Sequence, residues 1–306
     1  MKTIYLIGGS GFIGKNMVRC LHNQYKILVV DKFIDSDYLQ HFPDVDTLQL
    51  DLATEMIPNT YSTPDFIINL ASIVTAERDL GLFDGMIQSN LRVLLQLYER
   101  FANETQLKLF IQFGSSEEYG ALGSPFTETM REQPNSPYAL VKQLTTNTAL
   151  MLHQNYGFPA AVVRPGNLFG PLQHNSKFIP YVLNTLHRNE VLNVTPCEQK
   201  RDFIFVDDFS ALIELVLQNY TNAAGQVINV SSGESTSLKS IIEHCKLQIG
   251  SKSIINYGAI PYRENEVMDL KCDVAKLEHL TNTKIKLNIK ECLNELIKQS
   301  IPSMQR

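Results

Sequence analysis

Six short apolar runs, "TIYLIG", "KILVVD", "DTLQLD", "DFIINLA", "LKLFIQFG" and "AAVVRP", are spaced through the first half of the chain, with longer helical patterns between most of them. Strands separated by helices cannot pair as tight hairpins. Each crossover returns the chain parallel to the previous strand, both faces of the sheet are covered, and the strands read as nearly continuous apolar runs. This pattern predicts an α/β chain built on a doubly wound parallel sheet. The intervening helices are predicted near Phe12 to Asn23, Phe83 to Phe101 and Pro137 to Tyr156.

After Arg164 the regularity weakens around "RPGNLFGP" and "GAIPYREN", with helices predicted near Lys177 to His187, Asp207 to Gln218, Ser237 to Leu247 and Ile289 to Gln299. This predicts a smaller mixed lobe, packed on the first with a cleft between them. The expected division assigns residues 1–165 plus about 203–222 to the first unit, and about 166–202 and 223–306 to the second.

Several classes are excluded at this point. No apolar run approaches the ~20 residues of a membrane helix; the best, "FIFVDDFSALIELVL", is broken by Asp207, Asp208 and Glu214. Glycines interrupt the N-terminal apolar run before it reaches signal-peptide length, so a cytoplasmic protein with no membrane partner is expected. The five cysteines contain no CxxC pair and the seven histidines are dispersed, so no metal site is expected and the thiols are expected free. A net charge of -5 without a basic block argues against nucleic acid as a partner.

"YLIGGSGFIGKNMVRCL" sets Gly8, Gly11 and Gly14 at a strand-to-helix turn. Glycines allow a tight turn and close approach of a pyrophosphate, and the amides at the helix start hold its charge. Asp31 follows about 20 residues later at the end of the second strand, where it would accept a hydrogen bond from an adenosine-ribose 2'-hydroxyl and repel a 2'-phosphate. NAD(H) is therefore expected, with NADP(H) kept open by Lys32. Asp51 at the end of the third strand reads either as an adenine contact or as an ordinary loop aspartate.

"PNSPYALVK" places Tyr138 and Lys142 four residues apart near a helix start, on one face. A phenol titrates near ~10, and a neighbouring ammonium lowers it by favouring phenolate. Taken alone the pair reads as a helix-surface feature. Directly after "KLFIQF" stands "GSSEEYG", with two hydroxyls, two carboxylates and a phenol between glycines.

Together these stretches resemble the short-chain dehydrogenase/reductase superfamily, in its extended branch that acts on nucleotide sugars. "GGSGFIG", "NLAS" at Asn69 to Ser72, Asn90, "GSSEEYG", "SPYALVK", "RPGNLFGP" and "KRDFIFVDD" fall in that family's order over nearly the whole chain. The resemblance implies a Rossmann-like doubly wound parallel sheet with a smaller mixed α/β substrate-binding lobe, a nucleotide-diphosphate sugar as substrate, and a homodimer. It implies that Tyr138 is the acid/base, that Lys142 lowers its pKa and holds the nicotinamide ribose, and that Ser115 hydrogen-bonds the reacting sugar oxygen. The implied dinucleotide site comprises Gly8, Gly11, Phe12, Ile13, Gly14, Asp31, Lys32, Asp51, Leu52, Leu70, Ala71, Ser72, Asn90 and Pro165 with Tyr138 and Lys142. The implied sugar-nucleotide site comprises Ser116, Asn167, Lys177, Arg201 and Arg263, the two arginines neutralising the diphosphate.

The reaction is less constrained. In the family, members that eliminate water across C5 and C6, and decarboxylating members, carry a glutamate at the place of Glu117. The whole string "GSSEEYG" and the tail "YRENEVMDLKCDVAKL" instead resemble reductases of nucleotide-linked 4-keto-6-deoxy sugars. Asp31 suits the tightly held NAD of epimerases and dehydratases. Reduction at C4 leads this order, followed by 4-epimerisation, 4,6-dehydration and decarboxylation; a dinucleotide-binding sensor without chemistry is the remote alternative.

Overall fold

A computed structural model describes residues 1–75, 77–264 and 266–304. Strands β1 (Lys2–Ile7), β2 (Tyr25–Asp31), β3 (Val45–Gln49), β4 (Phe66–Asn69), β5 (Leu109–Phe113) and β6 (Ala160–Pro165) match the six apolar runs. In the second half follow β7 (Asn167–Phe169), β8 (Leu192–Val194), β9 (Lys200–Phe205), β10 (Val227–Val230), β11 (Ser235–Ser237), β12 (Ile255–Tyr257) and β13 (Asp269–Leu270).

Seven strands form one sheet in the order β10-β6-β5-β4-β1-β2-β3, every pair parallel. Alternate side chains on each strand serve opposite faces. Ile4, Leu6, Ile27, Val29, Phe66, Ile68, Ile111 and Val163 face one buried cluster, which the helices Phe12–Leu21 and Val206–Gln218 cover. Tyr5, Ile7, Leu28, Val30, Ile67, Phe110 and Val162 face the other, covered by Val93–Phe101 and Pro137–Tyr156. The strand order reverses between β1 and β4, and in such sheets the crevice beyond the strand C-terminal ends at that point is where ligands bind.

The helix Pro137–Tyr156 is well specified locally. Ser136 caps it by accepting from the Ala139 amide at 3.1 Å, Pro137 opens it, and Gly157 ends it in the left-handed region at φ 70°.

Two expectations are corrected. The expected division left everything after 222 in the second lobe, yet β10 pairs with β6 and completes the sheet. Its Val-Ile-Asn-Val is too short to separate from loop by pattern alone; it is a strand because the exposed edge of β6 needs a partner. The helix predicted from Phe83 to Phe101 is interrupted by a π-helical turn, Gln88–Arg92, around the buried Asn90.

The second lobe is mixed, with β9 flanked by β7, β11 and β13, and a separate β8–β12 pair. Phe169, Val182, Leu183, Phe203, Phe205, Ile242 and Leu293 form its core under the helices Phe178–His187, Leu238–Ile249 and Ile289–Met304. Among the described residues no helix is long and apolar enough to cross a membrane.

Candidate active site

The glycine turn between β1 and the first helix has the shape a pyrophosphate needs. Gly8 lies at φ +73°, and a Cβ there would stand 2.9 Å from the Ala71 nitrogen; a Cβ on Gly14 would stand 2.4 Å from Gly9 Cα and O. Around Gly11, by contrast, the nearest such contact is the Gly8 oxygen at 3.4 Å. Two glycines therefore close the turn and the third leaves an opening at the helix start. That helix begins without a side-chain cap and without an acid in its first turn, so its amides and dipole are directed at an approaching anion.

Asp31 ends β2 against this turn, its Oδ2 accepting from the Ser10 amide at 3.0 Å and its Oδ1 from the Phe33 amide at 3.2 Å. A carboxylate has about four acceptor sites, which leaves capacity for a ribose hydroxyl. Lys32 beside it is exposed. Phe12 and Ile13 are half-buried at the helix start, and Leu70, Ala71 and Ser72 follow β4 alongside the turn. Leu52 is buried in the sheet core, whereas Asp51 accepts from the Ala53 amide at 2.9 Å within its own turn. Asn90 is buried, its Oδ1 has no hydrogen-bond partner, and its Nδ2 donates to the Met86 carbonyl at 2.9 Å. An opening lined by helix-start amides, a ribose-height acid and an orphaned buried carbonyl fit a dinucleotide.

Just beyond β5 the residues expected to handle protons come together. Ser115 sits in the mouth of the "GSSEEYG" turn, its Oγ accepting from the Glu117 amide at 3.2 Å, near enough to the Tyr138 hydroxyl to act on its proton affinity. Lys142 is buried with its Nζ donating to the Phe113 carbonyl at 2.9 Å, and lies 5.8 Å from the Tyr138 ring centre. The electrostatics depart from expectation. Burial, then the charge of Glu117, push the Tyr138 phenol well above its ordinary range, the Ser115 hydroxyl acting the other way. Lys142 does not offset this: burial brings its ammonium down to about 8, with Glu118 opposing the change.

That depressed lysine makes stability pH-dependent. Below pH about 8 folded and unfolded chains both carry the proton, and the burial cost of the ammonium is full. Between about 8 and the ordinary 10.5 the folded chain releases the proton first, so this site adds stability as pH rises. Urea unfolding of the parent and Lys142→Met across this window is expected to show their difference moving by about 3 kcal/mol in the parent's favour. A difference flat with pH would show that the ammonium is not penalised.

The two glutamates of "GSSEEYG" point to different places. Glu117 is exposed, on the side of the turn nearest Arg201, Arg263, Lys177 and Arg78. Crowding there pushes its carboxyl up, while Arg201, Arg263, Lys177 and Arg78, in that order, draw it down. The substrate-site cations expected from the sequence thus gather around one point. Arg201 is committed in part: it pairs with Glu266, and its Nη1 donates to the Lys200 and Val267 carbonyls at 2.7 and 2.6 Å. Lys177 and Arg263 are exposed, Ser116 is buried, and Asn167 and Pro165 are half-buried where β6 runs into β7.

The sequence profile described as the NAD dependent epimerase/dehydratase family matches residues 4–231. The chain belongs to this family. It is an NAD-dependent nucleotide-sugar-modifying enzyme of the extended short-chain dehydrogenase/reductase type. Among curated relatives of this family member, dTDP-glucose 4,6-dehydratase of Haemophilus influenzae is 27% identical over 274 residues, covering 81% of this chain and 80% of its own. CDP-abequose synthase of Salmonella muenchen is 34% identical over 118 residues, or 39% of this chain and 40% of that one. The solved UDP-N-acetylglucosamine 4-epimerase of Methanobrevibacter ruminantium superposes with a TM-score of 0.89 at 24% identity over 99% of both chains, which shows the shared fold.

Two features of this epimerase/dehydratase-family site were not anticipated from sequence. Arg78 joins the cations acting on Glu117 from the segment after β4, and its Nη1 donates to the Glu264 carbonyl at 3.0 Å, far along the chain. Nothing local marks it. Glu118 turns inward onto the fully buried Arg164, which also pairs with Glu132. Here a signal existed: a charged residue inside the apolar strand "AAVVRP" requires a buried partner.

Proposed function

We propose that the protein binds NAD(H) and reduces the 4-keto group of a nucleotide-diphosphate-linked 4-keto-6-deoxy-hexose. The observation that carries this reading is the Ser115–Tyr138 hydroxyl pair at the end of β5, with burial and Glu117 holding the phenol protonated. A protonated phenol is an acid. It gives its proton to the oxyanion developing at sugar C4, and the Ser115 hydroxyl donates a hydrogen bond to the same oxygen. Reduced dinucleotide, when bound, supplies the hydride to C4. Lys142, tied to the strand end through the Phe113 carbonyl, holds the nicotinamide ribose, and the turn at Gly8, Gly11 and Gly14 holds the pyrophosphate. Asp31 favours NAD(H), with Lys32 leaving NADP(H) as the alternative. Arg201, Arg263 and Lys177 neutralise the sugar-nucleotide diphosphate, with Ser116 and Asn167 at the sugar. The resemblance of "GSSEEYG" and of the tail "YRENEVMDLKCDVAKL" to 4-keto reductases supports the reductive direction.

A second reading, 4,6-dehydration or 4-epimerisation with retained NAD, is favoured by Glu117 beside Tyr138, by Asp31 and by the relatives named dTDP-glucose 4,6-dehydratase. Purified protein should therefore be offered two sets of substrates. Oxidation of NADH or NADPH by a dTDP-linked 4-keto-6-deoxy-hexose supports the reductase. Formation of a 4-keto-6-deoxy product from unmodified UDP-, GDP-, CDP- or dTDP-hexoses, or inversion at C4 without net cofactor consumption, replaces it with the second reading. In a reductase Glu117→Gln is expected to stay within about tenfold of parent turnover; loss by several orders of magnitude would identify Glu117 as the proton carrier of an elimination.

We further propose a homodimer joined through the long helices after β4 and β5. Leu140, Leu144 and Met151 are exposed on one stripe of Pro137–Tyr156, where such residues gain by meeting a second copy. Sedimentation is expected to give a dimer that Leu144→Lys converts to monomer. A monomeric parent would refute this.

A further inference from the structure

Glu118 is a completely buried carboxylate that the mechanism above does not use. Four donors from three elements converge on it. The Ser115 amide at 2.8 Å and the Thr146 hydroxyl at 3.1 Å donate to Oε1, and Arg164 donates to Oε2 through Nε at 3.0 Å and Nη2 at 2.7 Å. Ser115 caps the short turn that follows β5, Arg164 lies in β6, and Thr146 stands one turn beyond Lys142 on the helix that carries Tyr138. The fit is tight enough to dictate the neighbouring residue: a Cβ on Gly114 would lie 2.4 Å from Glu118 Oε1.

We propose that Glu118 is a positioning residue for the reaction, a single buried carboxylate that pins the backbone of Ser115 to the helix carrying Tyr138 and Lys142. The proposal rests on the reading that Ser115 and Tyr138 act on one sugar oxygen. Those two hydroxyls come from different elements and have to meet the same atom within about 0.5 Å. Lys142 ties helix to strand through the Phe113 carbonyl, and Glu118 makes a second tie two residues further on, at Ser115. A carboxylate is the group for this place, because it accepts from all four donors at once. A glutamine would turn its own N–H groups toward the two donors that one of these oxygens accepts from.

The charges around the site are few and identifiable. Glu118 faces Arg164, which also meets Glu132. Tyr138 is under the influence of Glu117 and Glu118, and Lys142 under that of Glu118.

Two variants test the proposal, with a dTDP-linked 4-keto-6-deoxy-hexose and NADH or NADPH as the kinetic probe and NMR of protein isotope-labelled at lysine Cε as the second readout. Lys142→Met identifies the Lys142 signal. Thr146→Val removes one donor and no charge; it is expected to lower kcat about tenfold with KM and the Lys142 titration midpoint unchanged. Glu118→Gln is expected to lower kcat further and to move the Lys142 midpoint down by about one pH unit. If both variants lose only thermal stability, with kcat per folded molecule and the Lys142 midpoint at parent values, Glu118 is merely a core ion-pair partner and the proposal falls. Should the parent turn over none of the sugars offered, the functional reading fails separately. An unmoved Lys142 midpoint in Glu118→Gln would still overturn the role of Glu118.

Discussion

Tyr138→Phe is expected to lower turnover of the true substrate by roughly 10²- to 10⁴-fold, the range of a lost general acid, while dinucleotide affinity stays within about threefold of the parent. The expectation rests on how little else the substitution changes. Tyr138 is nearly buried against Met86 and Val141, and a phenyl ring keeps that packing. What goes is the hydroxyl that Ser115 meets, and with it the proton for the sugar oxyanion. Ser115 alone still stabilises the developing charge, which sets a floor above the uncatalysed rate. Single-turnover kinetics with calorimetric titration of NAD and NADH separate the two effects. Turnover at the parent's level would remove Tyr138 from the chemistry and with it the whole proposed mechanism.

Arg164→Met is expected to destabilise the fold by about 3–5 kcal/mol, the cost of stripping one partner from a buried ion pair. Arg164 and Glu118 both have fully buried side chains, and Arg164 also pairs with Glu132 and lies over the Tyr119 ring at 4.6 Å. Removing the guanidinium leaves the Glu118 carboxylate charged in the core with only the Ser115 and Thr146 donors, so the penalty comes from the survivor. The control is the double variant Arg164→Met with Glu118→Met. Because the fully buried carboxylate is then gone and only the part-exposed Glu132 has lost its partner, it is expected to recover much of the lost stability, as apolar replacement of buried pairs commonly does. Urea unfolding of the three proteins measures this directly. A loss under about 1 kcal/mol in the single variant would show that water reaches the site and screens it.

Much of the fold was legible because its signals are local. Apolar runs of strand length alternating with helices specify parallel pairing, since a run buried on both faces needs helices above and below it. Strands β1 to β6 and the helix Pro137–Tyr156 follow from this. The glycine turn is equally local: Gly8 needs a positive φ, and Gly14 has no room for a Cβ against Gly9. The four-residue spacing of Tyr138 and Lys142 likewise needs only a helix to set both on one face.

What the sequence by itself determined, then, is the first six strands, the glycine turn and the pair on the helix, because each depends on residues a few positions apart. Tertiary structure alone decided the rest. Two adjacent glutamates in "GSSEEYG" look alike in sequence, yet the short turn Ser116–Tyr119 leaves Glu117 exposed under the influence of Arg201, Arg263, Lys177 and Arg78 and sends Glu118 inward onto Arg164 and Thr146. The partners that make these residues different lie about 30 to 150 positions away in the chain. Likewise β10 is a strand because β6 presents an open edge, and the Tyr138 phenol is held high because burial and Glu117 outweigh a lysine whose own charge burial weakens. Electrostatic energies depend on distance and desolvation in three dimensions, and neither can be read from spacing along the chain.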